Sequence, residues 1–282
     1  MNLTESQPLL TVIVAVFNGA KTLQQCIDSV AHQTYENIEL IIIDGGSQDG
    51  TVDLLKKNSE QISYWVSEPD RGIYNAWNKA LAQATGDWIC FLGADDYLWN
   101  ADVMFKFAHS LNSVQPSMYV AYGQVMLLND GGRNMYAVGE PWENINERFY
   151  QVMCIPHQGV FHRHALFEKV GDFDTSFRIA GDYELLLREL KKSKATFIPI
   201  IVSGMRQGGI SNKPENTIKT LQEIRRAQKM HGFKFPGRIW TLAYIRSYIR
   251  TWAWKILGER CMARLLDTYR RAIGLPAYWT KL

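Results

Sequence analysis

Residues 86–96 have the sequence GDWICFLGADD, and the rest of the chain is organised around them. The Gly-Asp pair at the start is typical of a turn, and the apolar run after it predicts a short buried strand. That strand ends at two adjacent carboxylates, Asp95 and Asp96. Ligands of an open α/β sheet bind outside the carboxyl ends of its strands, so both side chains are expected to face a ligand.

The carboxylate pair predicts a metal–diphosphate site. Hard oxygen ligands without a neighbouring His or Cys suit Mg²⁺ or Mn²⁺, which carboxylates commonly hold jointly with substrate phosphates. The alternative is a solvated turn that caps the next helix, because Asp is also a frequent N-cap residue. Both interpretations fit this segment taken alone.

Length and composition predict a globular chain. It has 282 residues, of which 46% are hydrophobic, which suffices for one large domain or for a domain with an appendage. The start does not resemble a signal peptide, and the apolar run 9–17 is too short to span a bilayer. The widely spaced cysteines predict neither a disulfide framework nor a zinc site, which favours a reducing cytoplasm.

Charge is distributed unevenly along the chain. From Thr217 onward there are 14 basic and 3 acidic residues, a formal charge of +11, whereas the preceding part has 17 basic and 25 acidic residues, or −8. An acidic body with a basic tail indicates an anionic partner for the tail, either nucleic acid or a membrane surface.

Strands and helices alternate in the first half. Buried strands are predicted at 9–17 and 38–43, a short strand at 62–66, and helices at 20–33, 51–59 and 74–84. The β-α-β-α order predicts a parallel sheet with right-handed crossovers.

Asp44 ends the second predicted strand and opens the loop DGGSQDGT, residues 44–51. An Asp at a strand end can accept hydrogen bonds from a nucleobase edge, and the two glycines permit close approach of the backbone. The dinucleotide motif G-x-G-x-x-G and the phosphate-binding motif G-x-x-x-x-G-K are both absent. Asp49 is expected to belong to a simple turn, whereas Asp44 is expected to serve function.

Three motifs, in this order, resemble the family 2 glycosyltransferases: DGGSxDGT from Asp44, EPDxGIYNAxNK from Glu68, and GDWIxFLxADD from Gly86. The resemblance extends from about Leu9 to Asn212, and the ordered series is more specific than any one motif. It implies the α/β GT-A fold, with a Rossmann-like, mostly parallel sheet flanked by helices and here a C-terminal helical extension. It also implies inverting, metal-dependent transfer of a sugar from a nucleotide donor, usually a UDP-sugar.

The resemblance implies roles for individual residues. Asp44 would contact uracil, and Asp95 and Asp96 would hold ribose and the metal, Mn²⁺ or Mg²⁺. Gly93 stands where many members have the first Asp of a D-x-D motif, so Asp95 and Asp96 must supply the metal ligands. The residues expected to bind the nucleotide sugar are Val16, Asn18, Asp44, Gly45, Asp70, Arg71, Gly72, Asn75, Asn78, Lys79, Asp95 and Arg206.

A helix predicted to open near Asp182 is expected to supply the catalytic base. Inverting transfer needs a carboxylate beside the acceptor hydroxyl, opposite the departing diphosphate. The family has a Glu-Asp pair here, and this chain has Gly181-Asp182, which makes Asp182 the predicted base and Glu184 the fallback. The alternative is that Asp182 only stabilises the helix N-terminus. His157, Gln158 and Glu184 are expected to contact the acceptor, although a buried, hydrogen-bonded His157 fits equally well.

These assignments divide the chain into a GT-A domain, 1–212, and a tail, 213–282. Within the domain, 1–98 is the expected nucleotide-sugar half and 99–212 the expected acceptor and catalytic half. A hairpin is predicted to turn at 129–132. The loop RQGGISN, 206–212, can fold over a diphosphate through its Arg and its backbone N–H groups, or it can be a flexible linker.

The tail predicts two helices, 216–230 and 238–257. In the second, one face carries Leu242, Ile245, Ile249, Trp252 and Ile256, and another carries Trp240, Tyr244 and Tyr248 edged by Arg246 and Arg250. Basic residues with Trp and Tyr suit a membrane interface, while the charge makes spanning unfavourable. The alternative is a helix packed on the body with snorkelling Arg side chains. No nucleic-acid motif accompanies the charge, so nucleic acid is not expected as a partner.

Together these features predict a cytoplasmic transferase, peripheral on the inner face of the cell membrane. It would add one sugar to a saccharide on undecaprenyl diphosphate, as in relatives that build O-antigen or exopolysaccharide. A competing hypothesis is a non-catalytic sugar-nucleotide-binding or scaffold subunit, for which Gly93 and Gly181 are the support. A nucleotidyltransferase would need a glycine-rich triphosphate loop after the first strand, and FNGAK, 17–21, is a poor one.

Overall fold

A computed structural model describes residues 7–129, 132–206 and 216–272. The strands are β1 Leu10–Val16, β2 Ile38–Asp44, β3 Tyr64–Ser67, β4 Trp88–Gly93, β5 Tyr97–Leu98, β6 Val120–Leu128, β7 Asn134–Val138, β8 Val160–Arg163 and β9 Thr196–Arg206. The helices are α1 Leu23–Ala31, α2 Thr51–Lys57, α3 Ile73–Leu81, α4 Val103–Leu111, α5 Trp142–Phe149, α6 Ala165–Val170, α7 Gly181–Leu190, α8 Thr217–Met230 and α9 Arg238–Ala272.

The strands form one sheet in the order β3-β2-β1-β4-β8-β6-β9-β5, with β7 paired to β6. The first four strands in this order pair in parallel, as the β-α-β-α pattern predicts. The chain adds β2 and β3 on one side of β1 and then crosses to add β4 on the other side. The crevice above β1 and β4 is therefore the topological switch point, where ligands of such sheets bind.

Strand register brings the predicted site loops to one edge. Val16 of β1 pairs with Asp44 of β2, and Ala15 pairs with Gly93 of β4, so the three strands end at the same level. Because carboxyl ends of parallel strands meet at one edge, the loops after Val16, Asp44 and Gly93 are neighbours.

Both faces of the central strands are buried, which explains their continuous apolar runs. In β1, Ile13 belongs to one hydrophobic core, while Val12 and Val14 belong to the other. Helix α3 covers the first core with Tyr74 and Trp77. Helix α1 covers the second with apolar residues spaced at three and four positions.

The second half of the sheet is mixed, which the β-α-β-α pattern does not reveal. Strand β8 runs antiparallel between β4 and β6, and β5 pairs antiparallel with β9. The predicted hairpin is confirmed as β6 and β7, although residues 130–131 of its turn lie outside the described residues. The loop segment 207–215 and the chain end, 273–282, lie outside them as well.

The tail helices pack against the body in series. Helix α8 lies on α7, and α9 lies on α8, where buried Trp240 donates a 2.7 Å hydrogen bond to the carbonyl of Leu221. The predicted end of the second tail helix at 257 is confirmed by a break at Gly258, whose φ is +71°, and a further helical segment follows it to Ala272. Glycine adopts such a positive φ without steric cost. In the described ranges, no helix is both long and apolar enough to cross a bilayer.

Candidate functional site

Asp44 is fully buried and organises the loop that follows β2. Its Oδ2 accepts hydrogen bonds from the amides of Gly46, at 3.1 Å, and Ser47, at 2.9 Å, and from the Ser67 hydroxyl at 2.6 Å. The Ser47 hydroxyl donates to Oδ1. The carboxylate therefore fixes the shape of the 44–51 loop and ties it to the end of β3.

The loop after β1 is tied to the same structure. Asn18 adopts a positive φ of 52°, its amide donates to the Ser47 hydroxyl at 2.6 Å, and its Oδ1 accepts from Gln48 N at 3.0 Å. A side chain on Gly45 would lie 2.6 Å from Asp70 Oδ2, so Asp70 covers the backbone there. Asn18, Gly45 and Asp70 thus form one surface with the Asp44 loop. All three are predicted from the sequence to bind the nucleotide sugar.

Other residues predicted to bind the nucleotide sugar have structural contacts instead. Val16 is buried, and its carbonyl accepts from Gly45 N at 2.9 Å. Asn75 Oδ1 accepts the Arg71 amide at 3.2 Å, which shapes the turn ahead of α3. Asn78 exchanges two hydrogen bonds with the backbone of Phe173, at 2.8 and 3.0 Å, so it links the two halves of the body.

Lys79 and Arg71 differ in their availability to a diphosphate. Lys79 Nζ lies 2.7 Å from Glu68 and donates to the Pro69 carbonyl at 3.2 Å. Arg71 is exposed in the same loop, one residue before Gly72. Gly72 donates a 2.7 Å amide hydrogen bond to Asp70. Of the two predicted cations, Arg71 is therefore the one whose charge faces solvent.

Asp95 and Asp96 converge where β4 ends. Asp96 is 3% exposed, and its carboxylate accepts amide hydrogen bonds from Gly93 and Arg206, both at 3.3 Å. The side chain of Gln158 lies near it and lowers its pKa. Burial raises the pKa of Asp96 to about 8, and the neighbouring Asp95 charge adds to the shift.

The geometry explains the glycine at position 93. A Cβ there would lie 2.8 Å from Asp95 Oδ1 and 2.8 Å from Asp96 Oδ2. Carboxylate oxygens of Asp95 and Asp96 thus occupy the space that a side chain at 93 would need. Asp95 and Asp96 therefore place carboxylate oxygens near the position where the first Asp of a D-x-D motif would stand.

These residues fit a divalent cation. Two adjacent carboxylates, one of them buried, repel each other, and a bound cation would offset that repulsion. In the ranges the structure covers, no cluster of three or more His, Cys, Asp or Glu side chains could hold a metal. A Mg²⁺ or Mn²⁺ ion at Asp95 and Asp96 would therefore take its remaining ligands from substrate phosphates and water.

Arg206 ends β9 beside this pair. Its amide contacts Asp96, and its Nη2 donates to Gln25 at 2.6 Å. Within the described part of the chain its buried Nε has no hydrogen-bond partner. A buried donor without a partner is unusual and marks a position where an anionic oxygen would fit. The predicted lid that follows, 207–212, is outside the described residues.

Asp182 lies in the first turn of α7. It accepts a 2.8 Å hydrogen bond from its neighbour's amide, at Tyr183, and a 3.4 Å hydrogen bond from the hydroxyl of Tyr74. Burial raises the pKa of Asp182 to about 6. Burial and the Asp182 charge raise the pKa of Tyr74 well above its usual value, so Tyr74 keeps its proton and acts as a donor.

Tyr74 also explains Gly181. A Cβ at 181 would lie 2.8 Å from two ring carbons of Tyr74. The aromatic ring therefore fills the space that the Glu of a Glu-Asp pair would need, and the same side chain donates to the remaining Asp.

Glu223 of α8 is a site residue that sequence reasoning missed. Its carboxylate accepts the backbone amides of Arg178 at 2.9 Å, Ile179 at 2.8 Å and Ala180 at 2.9 Å. It thereby holds the segment that leads into Asp182. One signal was available, since Glu223 is one of only 3 acidic residues from Thr217 onward, where the chain is strongly basic.

Two of the residues predicted to contact the acceptor are buried and have partners within the fold. His157 is buried against Trp77 and Phe91, its Nε2 lies 3.2 Å from that of His162, and burial lowers its pKa to about 3. The Glu184 carboxylate is 2% exposed and is held by Arg188, at 2.5 Å, and His231, at 2.7 Å. Gln158 lies at Asp96 instead, on the metal side of the site.

The sheet with its flanking helices, and the site loops gathered at the carboxyl ends of β1, β2 and β4, define a GT-A-like α/β fold. The family described as "Glycosyl transferase family 2" matches residues 11–163, more than half of the chain. The protein belongs to this glycosyltransferase family.

Known relatives are also glycosyltransferases. A PGL/p-HBAD biosynthesis glycosyltransferase of Mycobacterium bovis (strain BCG / Pasteur 1173P2) is 30% identical over 211 residues, covering 73% of this chain and 80% of the relative. An uncharacterized glycosyltransferase of Mycobacterium tuberculosis (strain ATCC 25618 / H37Rv) is 31% identical over 244 residues, covering 86% and 91%.

Solved structures share the fold at low identity. S. aureus TarS 1-349 in complex with UDP-GlcNAc aligns with a TM-score of 0.62 at 16% identity, covering 94% of this chain and 81% of that one. The mannosyltransferase PcManGT from Pyrobaculum calidifontis, in complex with GDP-Man and Mn²⁺, aligns with a TM-score of 0.62 at 17% identity, covering 95% and 81%.

Proposed function

We propose that this chain is an inverting glycosyltransferase that moves one sugar from a UDP-sugar to a saccharide acceptor, with Asp182 as the general base. The observation that carries the proposal is the Tyr74–Asp182 pair. Tyr74 belongs to α3, which begins directly after the Asp70–Gly72 donor loop, so the pair joins the base to the donor side. A carboxyl with a pKa of about 6 is ionised at neutral pH and still basic enough to accept a proton in the transition state.

In the proposed reaction the acceptor hydroxyl attacks C1 of the donor sugar. The new O–C1 bond forms while the bond from C1 to the phosphate oxygen breaks, and the nucleoside diphosphate leaves with the electron pair. The hydroxyl proton passes to the carboxylate of Asp182, whose orientation Tyr74 fixes. Attack from the face opposite the leaving group inverts the configuration at C1.

The donor is proposed to lie above the ends of β1, β2 and β4. The nucleobase would meet the surface formed by Asn18, Gly45 and the loop that Asp44 orders. Arg71 and Arg206 would neutralise the diphosphate. A divalent cation held by Asp95 and Asp96 would supply further neutralisation of the leaving group when bound.

The acceptor is proposed to be carried on a lipid diphosphate, undecaprenyl diphosphate in the simplest case. Support comes from the exposed face of α9, here termed the apolar stripe, formed by Leu242, Ile245, Ile249, Trp252 and Ile256. Ile249 is 60% and Trp252 67% exposed. Arg246 is exposed nearby, and such a combination suits the interface of an anionic membrane. Peripheral attachment at the cytoplasmic leaflet follows from this proposal.

The test is a transfer assay with UDP-, GDP- and dTDP-sugars and a short saccharide on a lipid diphosphate, with Mn²⁺ or with a chelator. We expect product from one UDP-sugar, inverted at C1, lost with the chelator, and reduced about 10²–10⁴-fold in Asp182→Asn. An active Asp182→Asn enzyme would reduce Asp182 to a helix-stabilising role. UDP binding without product from any donor would favour the non-catalytic binding subunit.

A further inference from the structure

A cleft beside the Asp70–Gly72 donor loop has no role in the function derived so far. It has a volume of about 560 Å³ and lies between the start of α3, at Gly72 and Ile73, and helix α8. Arg178 and Ile179 line it from the segment ahead of α7, and Lys219 and Arg226 line it from α8.

The cleft has an excess of positive charge. The Arg178 guanidinium donates to the backbone carbonyl of Arg71, and in the described part of the chain it has no carboxylate partner. Lys219 is exposed and, within the same residues, pairs with no acid. Arg226 stacks on Phe177 and has a distant partner, Asp174, at 3.7 Å.

The acidic residue of the lining does not neutralise these cations directly. Glu223 gives its oxygens to the backbone amides of Arg178, Ile179 and Ala180. Guanidinium and ammonium groups with little carboxylate pairing form a site suited to a phosphate or diphosphate.

Both walls of the cleft lead to the proposed base. Ile179 lies three residues before Asp182 in the segment that Glu223 holds. On the opposite wall, Gly72 lies two residues before Tyr74, whose hydroxyl contacts Asp182. The cleft is therefore lined by the two segments that lead into the catalytic pair.

The cleft continues along α8 towards α9. A second cavity of about 470 Å³ shares Gln222 and Arg226 with the first and is also lined by Lys229, Trp240 and Tyr244. The indole of Trp240 and the ring of Tyr244 stack with centroids 4.7 Å apart. Helix α9, which supplies both rings, carries the apolar stripe on its exposed face. The basic residues thus run from the segment ahead of Asp182 to the helix with the apolar surface.

We propose that the cleft formed by Arg178, Lys219 and Arg226 binds the diphosphate of a lipid-linked acceptor. This inference rests on the proposed function, because it assigns a site to the acceptor of that reaction. The diphosphate lies against the cations of α8, the saccharide extends towards Asp182, and the lipid extends towards α9.

Binding is tested by calorimetry with geranyl diphosphate and with inorganic pyrophosphate, both in the presence of saturating UDP and Mn²⁺. We expect geranyl diphosphate to bind the wild type at least tenfold more tightly than pyrophosphate. Lys219→Glu should weaken its binding tenfold or more. Lys192→Glu, the same charge reversal at an exposed lysine outside the cleft, should leave binding unchanged.

Three results would overturn the inference. Equal affinity of wild type and Lys219→Glu for geranyl diphosphate would remove the cleft from binding. Binding that saturating UDP abolishes would assign the anion to the donor site. Equal affinity for pyrophosphate and geranyl diphosphate would make the cleft a general anion site, without a lipid-linked ligand.

A kinetic arm separates this inference from the proposed function. With a lipid-diphosphate acceptor, Lys219→Glu should raise the acceptor KM about tenfold relative to the donor KM. If the wild type forms no glycoside with any donor, the proposed function fails, while loss of geranyl diphosphate binding in Lys219→Glu still supports the cleft. If the wild type is active and Lys219→Glu has an unchanged acceptor KM, the inference about the cleft fails alone.

Discussion

Two glycines stand where the family pattern has acidic residues, and at both positions a neighbouring group fills the space. The oxygens of Asp95 and Asp96 occupy the side-chain position of Gly93, and the ring of Tyr74 occupies that of Gly181. A protein that had lost its activity would not need neighbouring groups to fill these two positions. The two positions therefore give less support to a non-catalytic subunit than the sequence alone indicates.

Gly93→Ala should disturb the carboxylate pair, because its methyl group would lie 2.8 Å from an oxygen of each acid. We expect a tenfold or greater rise in the Mn²⁺ concentration that gives half-maximal activity. The measurement is a Mn²⁺ titration of transfer, with thermal unfolding to show that the variant folds. An unchanged Mn²⁺ requirement would place the metal elsewhere.

The pKa of Asp182 predicts the acid limb of the pH profile. Burial raises this pKa to about 6, and a base must be ionised, so kcat/KM should fall about tenfold per pH unit below pH 6. The Tyr74 hydrogen bond lowers the same pKa, so Tyr74→Phe should move the limb to higher pH. Tyr64→Phe, at a more exposed tyrosine outside the site, is the control. A limb unmoved by Tyr74→Phe would contradict the assigned contact.

Ionised Asp182 should also destabilise the fold above a pH of about 6. A carboxyl whose folded pKa lies above its unfolded pKa stabilises the fold below the unfolded value, and this contribution is lost as pH rises through about 6. Asp182→Asn should therefore have a higher Tm than the wild type at pH 8 and a similar Tm at pH 4. Asp172→Asn, at an exposed carboxylate, should show no such difference. Equal Tm values of Asp182→Asn and the wild type at pH 8 would contradict the claim that burial raises the pKa of Asp182.

At the scale of elements, local patterns and long-range pairing differ in how far the sequence predicts them. The parallel strands β1, β2 and β4 and helices α1 and α3 follow from apolar runs and spacing. Their parallel direction places Asp44 and Gly93 at one edge of the sheet, on either side of the end of β1. The antiparallel place of β8 depends on pairing with β4 and β6, which no local pattern contains. Burial of His157 and Glu184 depends on partners distant in sequence, so their predicted acceptor contacts could not be judged from local pattern.

The hydrogen bonds of Glu223 connect helix α8 to the segment ahead of α7. Glu223→Gln removes the charge that faces three amides, and hydrogen bonds to charged groups contribute roughly 1.5–3 kcal/mol each. We expect a loss of roughly 1–3 kcal/mol in the free energy of unfolding and a fall in kcat larger than the change in donor KM. Glu147→Gln on α5 is the matched control. Unchanged kcat would limit Glu223 to a role in stability.

At the scale of the whole molecule, α9 presents one face to the body and another to solvent. Trp240 and Ser247 are buried, while the apolar stripe is exposed. Packing on the body is therefore confirmed for one face, and membrane contact by the other face stays a prediction. The charge asymmetry and the face pattern are readable in the sequence. The position of the cleft beside α8 is not, because it depends on how three separate segments meet.

Membrane attachment predicts sedimentation with vesicles. The wild type should bind phosphatidylglycerol vesicles more strongly than phosphatidylcholine vesicles, because the tail is basic, and the difference should shrink with added salt. The double change Ile249→Glu and Trp252→Glu should reduce binding at least tenfold. Phe105→Glu, at an exposed aromatic on α4, should not. Equal sedimentation of the double variant would exclude the stripe as the contact.

The three hydrogen bonds that Glu223 makes have a consequence for biosynthesis. The segment they hold, 178–180, is synthesised 43 to 45 residues before the glutamate that secures it. When α7 has emerged from the ribosome, the nascent chain therefore still lacks Glu223, which holds the segment ahead of Asp182. With Asp182 as the proposed base, activity would then arise only after the tail has emerged and docked. A prematurely terminated chain would keep the sheet but lack the helix that holds the segment ahead of Asp182.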